Sequence, residues 1–201
     1  MKSNWLVILL IGEFKGSRRR AVSEIDYNKM LGRWFLGMRS VDDVDDRCVV
    51  HYCELFIDGL QENGTFSDVR IHMDIKDFRE SGPKLSVYKF IPQVYRSPAI
   101  FSVVSMASNQ SLLPHWIFKT GPVVANQYQY LVVSNWFRFP VRVFVRHPDD
   151  FVQRYRNEVR EFLKQHSFPA KMMFDENYSK CYYDPLEFKS ALLRSGIAFQ
   201  T

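Results

Sequence analysis

Asp26-Tyr27-Asn28-Lys29-Met30-Leu31-Gly32-Arg33-Trp34-Phe35 is the stretch from which the rest of the chain can be ordered. A short polar run ends, a Gly-x-Trp follows, and an apolar strand begins at Phe35 and continues to Arg39. A tryptophan at the mouth of a first strand reads as a plug. We therefore expect Trp34 to seal one end of a β-barrel, with the remaining elements forming its wall and supports.

Downstream, segments rich in Val, Ile, Phe and Tyr alternate with turn residues. Cys48 to Ile57 reads as a strand, and Asn63-Gly64 as a hairpin turn after it. Asp68 to Ile75 alternates most regularly. Val69, Ile71, Met73 and Ile75 lie on one face, and Asp68, Arg70, His72 and Asp74 on the other. Taking the apolar face as the inward one points Val69, Ile71 and Met73 into the barrel. The opposite register would turn Arg70 and His72 inward, because a one-residue slip flips every side chain. Further strands are expected at Leu85 to Tyr95, Ile100 to Met106, Pro114 to Phe118, Tyr128 to Trp136 and Val141 to Arg146. Eight strands of similar length, each closed by turn chemistry, indicate a sandwich or an up-and-down barrel.

The pattern then changes. Pro148-Asp149-Asp150 opens a helix, and Phe151, Val152, Tyr155, Val159, Phe162 and Leu163 recur at helical spacing. Arg154, Arg156, Glu158, Arg160 and Lys164 take the other face, so the helix must dock on an apolar wall. Ala170 to Asp175 is expected to be a last short strand.

Composition agrees with a β-rich chain. Among 201 residues there are 17 Phe, 10 Tyr and 4 Trp, which suit a pleated surface. The net charge of +5 is carried by Lys and Arg interleaved with Asp and Glu, which argues for a solvated surface and against a nucleic-acid interface. Met1 to Gly12 has one basic residue and then an apolar run, the shape of a short signal peptide. We assign residues 1–20 as a leader and 21–201 as one domain. No stretch is long and apolar enough to span a bilayer as a helix.

Three cysteines are present. Cys48 and Cys53 face opposite sides of a regular strand and cannot bridge each other, so either could pair with Cys181. Asn63, Asn109 and Asn177 each begin an Asn-x-Ser/Thr sequon, in keeping with a secreted glycoprotein. The acidic run Val41 to Asp46 lacks the glycine and terminal glutamate of a calcium loop. No histidine pair has metal-ligand spacing, and neither a nucleophilic triad nor a glycine-rich phosphate loop can be read. Neither a metal nor a cofactor is expected.

Eight meander strands, a helix, a short ninth strand and a C-terminal cysteine form an order that resembles the lipocalin family, and within it the apolipoprotein D-like secreted carriers. The resemblance covers roughly residues 26–182. It rests on Gly32-Arg33-Trp34 as the family's first motif and on Arg146, before the helix, as its third. The second motif, a turn near Asn126-Gln127-Tyr128, departs from the family pattern. The resemblance implies an all-β fold with one packed helix: an eight-stranded antiparallel up-and-down barrel, with Arg146 over Trp34 at the closed end. It implies a Cys48–Cys181 disulfide and a lumen that holds one small hydrophobic ligand, such as a lipid, sterol, retinoid or bilin. Carried inward, the family register adds His51, Cys53, His115, Ile117 and Phe144 to the wall residues Val69, Ile71 and Met73. The implied function is non-enzymatic carriage, with a cell-surface receptor as a further partner. Two alternatives accompany it: an isomerase using lumenal Cys53, and a protein-interaction module using the loops.

Overall fold

The structure is a computed structural model that describes residues 21–40, 49–55, 66–72, 74–75, 85–93, 96–178, 181–182 and 190. The leader, Cys48, Asn63, Met73 and the acidic run lie outside these residues. We number the main strands β1 (Gly32–Arg39), β2 (Val49–Leu55), β3 (Phe66–His72), β4 (Leu85–Pro92), β5 (Ile100–Ser105), β6 (Ser111–Thr120), β7 (Tyr130–Ser134), β8 (Arg142–Val145) and β9 (Phe174–Asp175). They form a nine-stranded sheet in which the first eight pair consecutively, from β1 with β2 to β7 with β8, and β9 pairs with β1. β8 also pairs with β1, from Phe35↔Val145 to Arg39↔Arg142, and this closes the meander into a barrel. Closure removes the open edges that a sheet of this size would otherwise present.

Strand limits differ from the sequence reading where polar residues sit inside strands. β6 runs ten residues, through Ser111 and Pro114, instead of starting at Pro114. β7 stops at Ser134, because Asn135 turns the chain. Its side-chain Oδ1 accepts from the backbone N–H groups of both Phe137 and Phe139 at 3.2 Å. The expected strand from Ala170 is a 3-10 turn, Ala170–Met172, followed by the two-residue β9 on β1.

β1 bends at a bulge between Leu36 and Met38. Gly37 sits there because a Cβ would lie only 2.6 Å from Val145 Cγ1 and 3.2 Å from Phe151 Cδ1. The bulge lets β1 pair with β2 through its first half and with β8 and β9 through its second.

The helical segment α1 runs over residues 148–165 as an α turn Pro148–Asp150, a π turn Phe151–Tyr155 and an α-helix Arg156–Gln165. Its buried residues Phe151, Val159 and Leu163 pack on Met38, Tyr130, Val132, Val143 and Val145 of the barrel's outer face. A second cluster, built on Trp34, Phe101, Ile117, Leu131 and Val133, fills the barrel interior. β7 serves both. All five of its residues are buried, with Tyr130 and Val132 under the helix and Leu131 and Val133 inside.

A polar cluster fastens the helix. Lys119 Nζ lies 2.8 Å from Glu158 Oε1, and the Tyr130 hydroxyl donates to the same oxygen at 2.9 Å. Burial pushes the Tyr130 phenol far above its ordinary range. The hydrogen bond from Lys119 leads in holding the Glu158 carboxylate below its ordinary value of 4.5, opposed by partial burial and helped by Tyr130 and by the Lys119 charge. A depressed carboxylate contributes stability that is present above its unfolded pKa and lost as pH falls through its folded one. Glu158→Gln should therefore lower stability at neutral pH and flatten the profile below pH 4.5, where the wild type loses the same contribution. As Glu158 is half exposed, the difference should stay under about 1 kcal/mol. Urea unfolding of both proteins between neutral pH and pH 3 measures it.

Candidate functional site: a lumen sealed at one end

The floor of the barrel is built from the stretch before β1. Asp26 caps a 3-10 turn, Tyr27–Met30, with its side chain accepting from Asn28 N. The segment is tied across the barrel end by Val22 N donating to Ile117 O at 2.9 Å and by Tyr27 Oη donating to Pro98 O at 2.8 Å. Gly32 follows with φ +92°, a left-handed conformation that favours glycine. That reversal delivers Trp34 into the interior, where it is 3% exposed and its indole N–H donates to Met30 O at 2.6 Å.

Arg146 closes the arrangement from β8. Its guanidinium carbon lies 3.6 Å from the Trp34 ring centroid. Nη1 donates to Arg33 O at 2.8 Å, Nη2 to Lys29 O at 2.9 Å and Nε to Tyr128 O at 3.2 Å. The fork thus ties the floor segment, the first strand and the loop before β7 to one point. Burial draws its pKa down to about 10, partly offset by the Cys53 charge, so it remains a cation at neutral pH. The departed second motif makes a tight hairpin instead, with Val123–Val124 paired to Gln127–Tyr128 and positive φ at Ala125 and Asn126.

Above Trp34 lies a cavity of about 620 Å³ of empty space, part of it open to solvent. His51, Cys53, His115, Ile117 and Phe144 line it, all five being residues of the sequence-derived set. The His51 and Phe144 rings meet edge to face at 4.9 Å. Phe90 bridges the far wall, 5.5 Å from His115 and 6.2 Å from Phe101. Met30, Phe90, Phe101, Leu131 and Val133 also line the cavity and escaped the sequence reading. Leu131 and Val133 gave no signal because β7 is dry on both faces. A strand buried on both sides carries no period.

β2 pairs with β3 so that His51 meets Arg70 and Cys53 meets Asp68, while Val50 meets Ile71 and Tyr52 meets Val69. Directly paired residues share a face of the sheet. Asp68 and Arg70 therefore share register positions with Cys53 and His51, and Val69 and Ile71 with Tyr52 and Val50.

A second groove, of about 660 Å³ including solvent, continues from the first at the opposite end to Trp34. His115 and Val133 line both, and Leu113, Asn135, Pro140 and Arg142 line the outer part. This is the open mouth. Asn109 and Asn177 are exposed. Among the described residues, no group of three or more His, Cys, Asp or Glu could hold a metal ion, and no helix is long and apolar enough to cross a membrane.

A closed antiparallel barrel with one plugged end, one open end and an apolar lumen defines a class of small-molecule container. A family model described as "Lipocalin domain" matches residues 22–183, and the chain belongs to the lipocalin family. No curated protein matches the chain.

Proposed function

We propose that this protein is a secreted carrier that encloses a small hydrophobic molecule between Trp34 and the mouth. The observation that carries this reading is the lumen, lined by Phe90, Phe101, Ile117, Leu131 and Phe144 with few polar groups. Such a wall binds by apolar burial, at about 25 cal/mol per Å². The polar positions suggest how a ligand is oriented. Arg142 lines the mouth, and Arg70 pairs in register with His51 of the lumen wall, which suits a ligand with an acid group at its outer end. A fatty acid or a bilin meets that description.

Solvent extraction of the native protein followed by mass spectrometry should release such a molecule. Val133→Phe, which fills the lumen from β7, should weaken binding about tenfold or more, as an occluded apolar pocket would. Unchanged affinity in that variant would place the ligand elsewhere.

The Cys48–Cys181 disulfide belongs to the same reading. Cys181–Tyr182 pairs with Asp74–Ile75, just beyond the end of β3. Nearby, Tyr178 Oη donates to Val49 O at 3.2 Å and accepts from Leu36 N at 2.8 Å. Cys48 immediately precedes Val49 in the chain. A bridge over so long a loop would contribute about 2–5 kcal/mol. A second reading, thiol chemistry, is favoured by one observation: Cys53 is a free cysteine in the lumen wall, interacting electrostatically with Arg146. One peptide-mapping experiment addresses both. After native alkylation, the carrier reading expects a joined Cys48–Cys181 peptide pair and a slowly labelled Cys53, with ligand binding intact in Cys53→Ser. Fast labelling of Cys53 at neutral pH would favour the thiol reading.

A further inference from the structure

β1 changes partner along one of its edges. Its first half pairs there with β2, from Gly32↔Cys53 to Phe35↔Val50. Past the bulge, Met38 and Arg39 pair with β8 on one edge and with Asp175 and Phe174 of β9 on the other. The next rung of the β1–β2 ladder would join Leu36 N to Val49 O. The Tyr178 hydroxyl stands between these two atoms instead, accepting from Leu36 N at 2.8 Å and donating to Val49 O at 3.2 Å. Gly37 O accepts from Glu176 N at 3.0 Å. From Leu36 onward, the segment 174–178 takes the place that a continuing ladder between the first two strands would hold.

This seam borders the lumen. Leu36 shares a register position with Phe144, and Val49 alternates with His51 and Cys53, all of them residues of the cavity wall. Leu36 and Val49 are each 1% exposed, so the seam is shut. Its two sides are held differently. On the β1 side, Glu176 Oε2 lies 3.0 Å from Arg39 Nη2 with both side chains buried, and the Asp175 carboxylate accepts from Arg160 of α1 at 3.0 and 3.1 Å. The Tyr178 ring packs edge to face on Phe35 at 5.3 Å. The segment is thus anchored on β1 and α1, and the Tyr178 hydroxyl carries it across to β2.

Resting on the carrier reading, we propose that the β1–β2 seam is the joint at which the barrel widens to pass its ligand, and that Tyr178 holds it closed. A continuous ladder fixes the circumference of a barrel, because widening it breaks backbone hydrogen bonds in a row. At the seam a side-chain hydroxyl stands in for a rung. The Tyr178–Val49 bond can part while β9, the bulge and the helix keep their places, and the parting opens the wall beside His51. A Cys48–Cys181 bridge would tie the same segment to the residue before Val49 and so limit how far the seam opens.

Stopped-flow binding of anilinonaphthalene sulfonate to the full chain tests this, with amide hydrogen exchange as a second readout. Tyr178→Phe keeps the ring on Phe35 and removes the hydroxyl. Association and dissociation rates of the probe should both rise about fivefold, the factor that one lost hydrogen bond allows, while the affinity changes by less than about twofold. Asp175→Asn, which loosens the hold of α1 on β9, should act in the same direction and less. Without the probe, the Leu36 amide should exchange about fivefold faster in Tyr178→Phe, with the amides of β7 at their wild-type rates. Unchanged probe rates in Tyr178→Phe would overturn the proposal. So would faster exchange at β7 together with a loss of affinity, which is what general destabilisation produces. Absence of probe binding to the wild type would remove the carrier reading and the proposal with it, whereas unchanged exchange at Leu36 in a protein that binds the probe would remove the seam alone.

Discussion

Replacing Trp34 with alanine should lower the unfolding free energy by about 3–5 kcal/mol, the range for truncating a large buried aromatic side chain. The indole is 3% exposed and fills the floor of the lumen among Met30, Ile117 and Leu131. Its loss opens a void that the closed barrel is poorly able to collapse, and it leaves the Met30 carbonyl without its donor. The Arg146 guanidinium, packed on the ring face at 3.6 Å, loses that support as well. Denaturant unfolding followed by circular dichroism measures the change. A loss under about 1 kcal/mol would mean that another residue seals this end.

Arg146→Ala should be comparably damaging, at about 3–5 kcal/mol, for a different reason. Its three donors satisfy the carbonyls of Lys29, Arg33 and Tyr128, which belong to three separate segments. Removing the fork strands these oxygens beneath the floor and unties the segments from each other. Arg146→Lys keeps the charge but has no planar fork to span three acceptors, so it should recover only part of the loss. The order wild type, lysine, alanine is the diagnostic. A double-mutant cycle with Trp34 should show a coupling of about 0.5–2 kcal/mol, because the two side chains share one contact. Additivity of the two substitutions would separate the plug from its clasp.

The closed end was legible in the sequence because each of its features has a local cause. Gly32 adopts a positive φ, Trp34 follows it into the interior, and Arg146 ends the last meander strand before the proline that starts α1. The helix was legible by its period, although the π turn at Phe151–Tyr155 was not, since that turn arises from packing against β1 and β7. The lumen was legible only in part. His51, Cys53, His115, Ile117 and Phe144 were placed by the inward register that the lipocalin resemblance implies. Phe90 and Phe101 depend on how β4 and β5 pair, which no local pattern encodes. For Asp68 to Ile75 alternation gives a period but leaves two registers open, and the choice between them depends on pairing with β2, where Arg70 lies opposite His51.

The same division explains why the mouth matters for ligand choice. The floor is fixed by hydrogen bonds and leaves no freedom to select among ligands. The wall offers shape and apolar surface. Polar selectivity falls to the open end, where Arg142 and His115 meet the groove and the β7–β8 turn stands beside it.

Titration of the purified protein with fatty acids, sterols, retinoids and bilins, read by intrinsic tryptophan emission, tests the central claim most directly. Trp34 forms the floor of the lumen and Trp136 stands beside its mouth, so an occupant changes the emission from within the barrel. At least one ligand in the panel should give saturable, one-to-one quenching that is lost or weakened about tenfold in Val133→Phe. The absence of saturable binding across the panel, in protein first stripped by solvent extraction and shown to be folded, would contradict the carrier function.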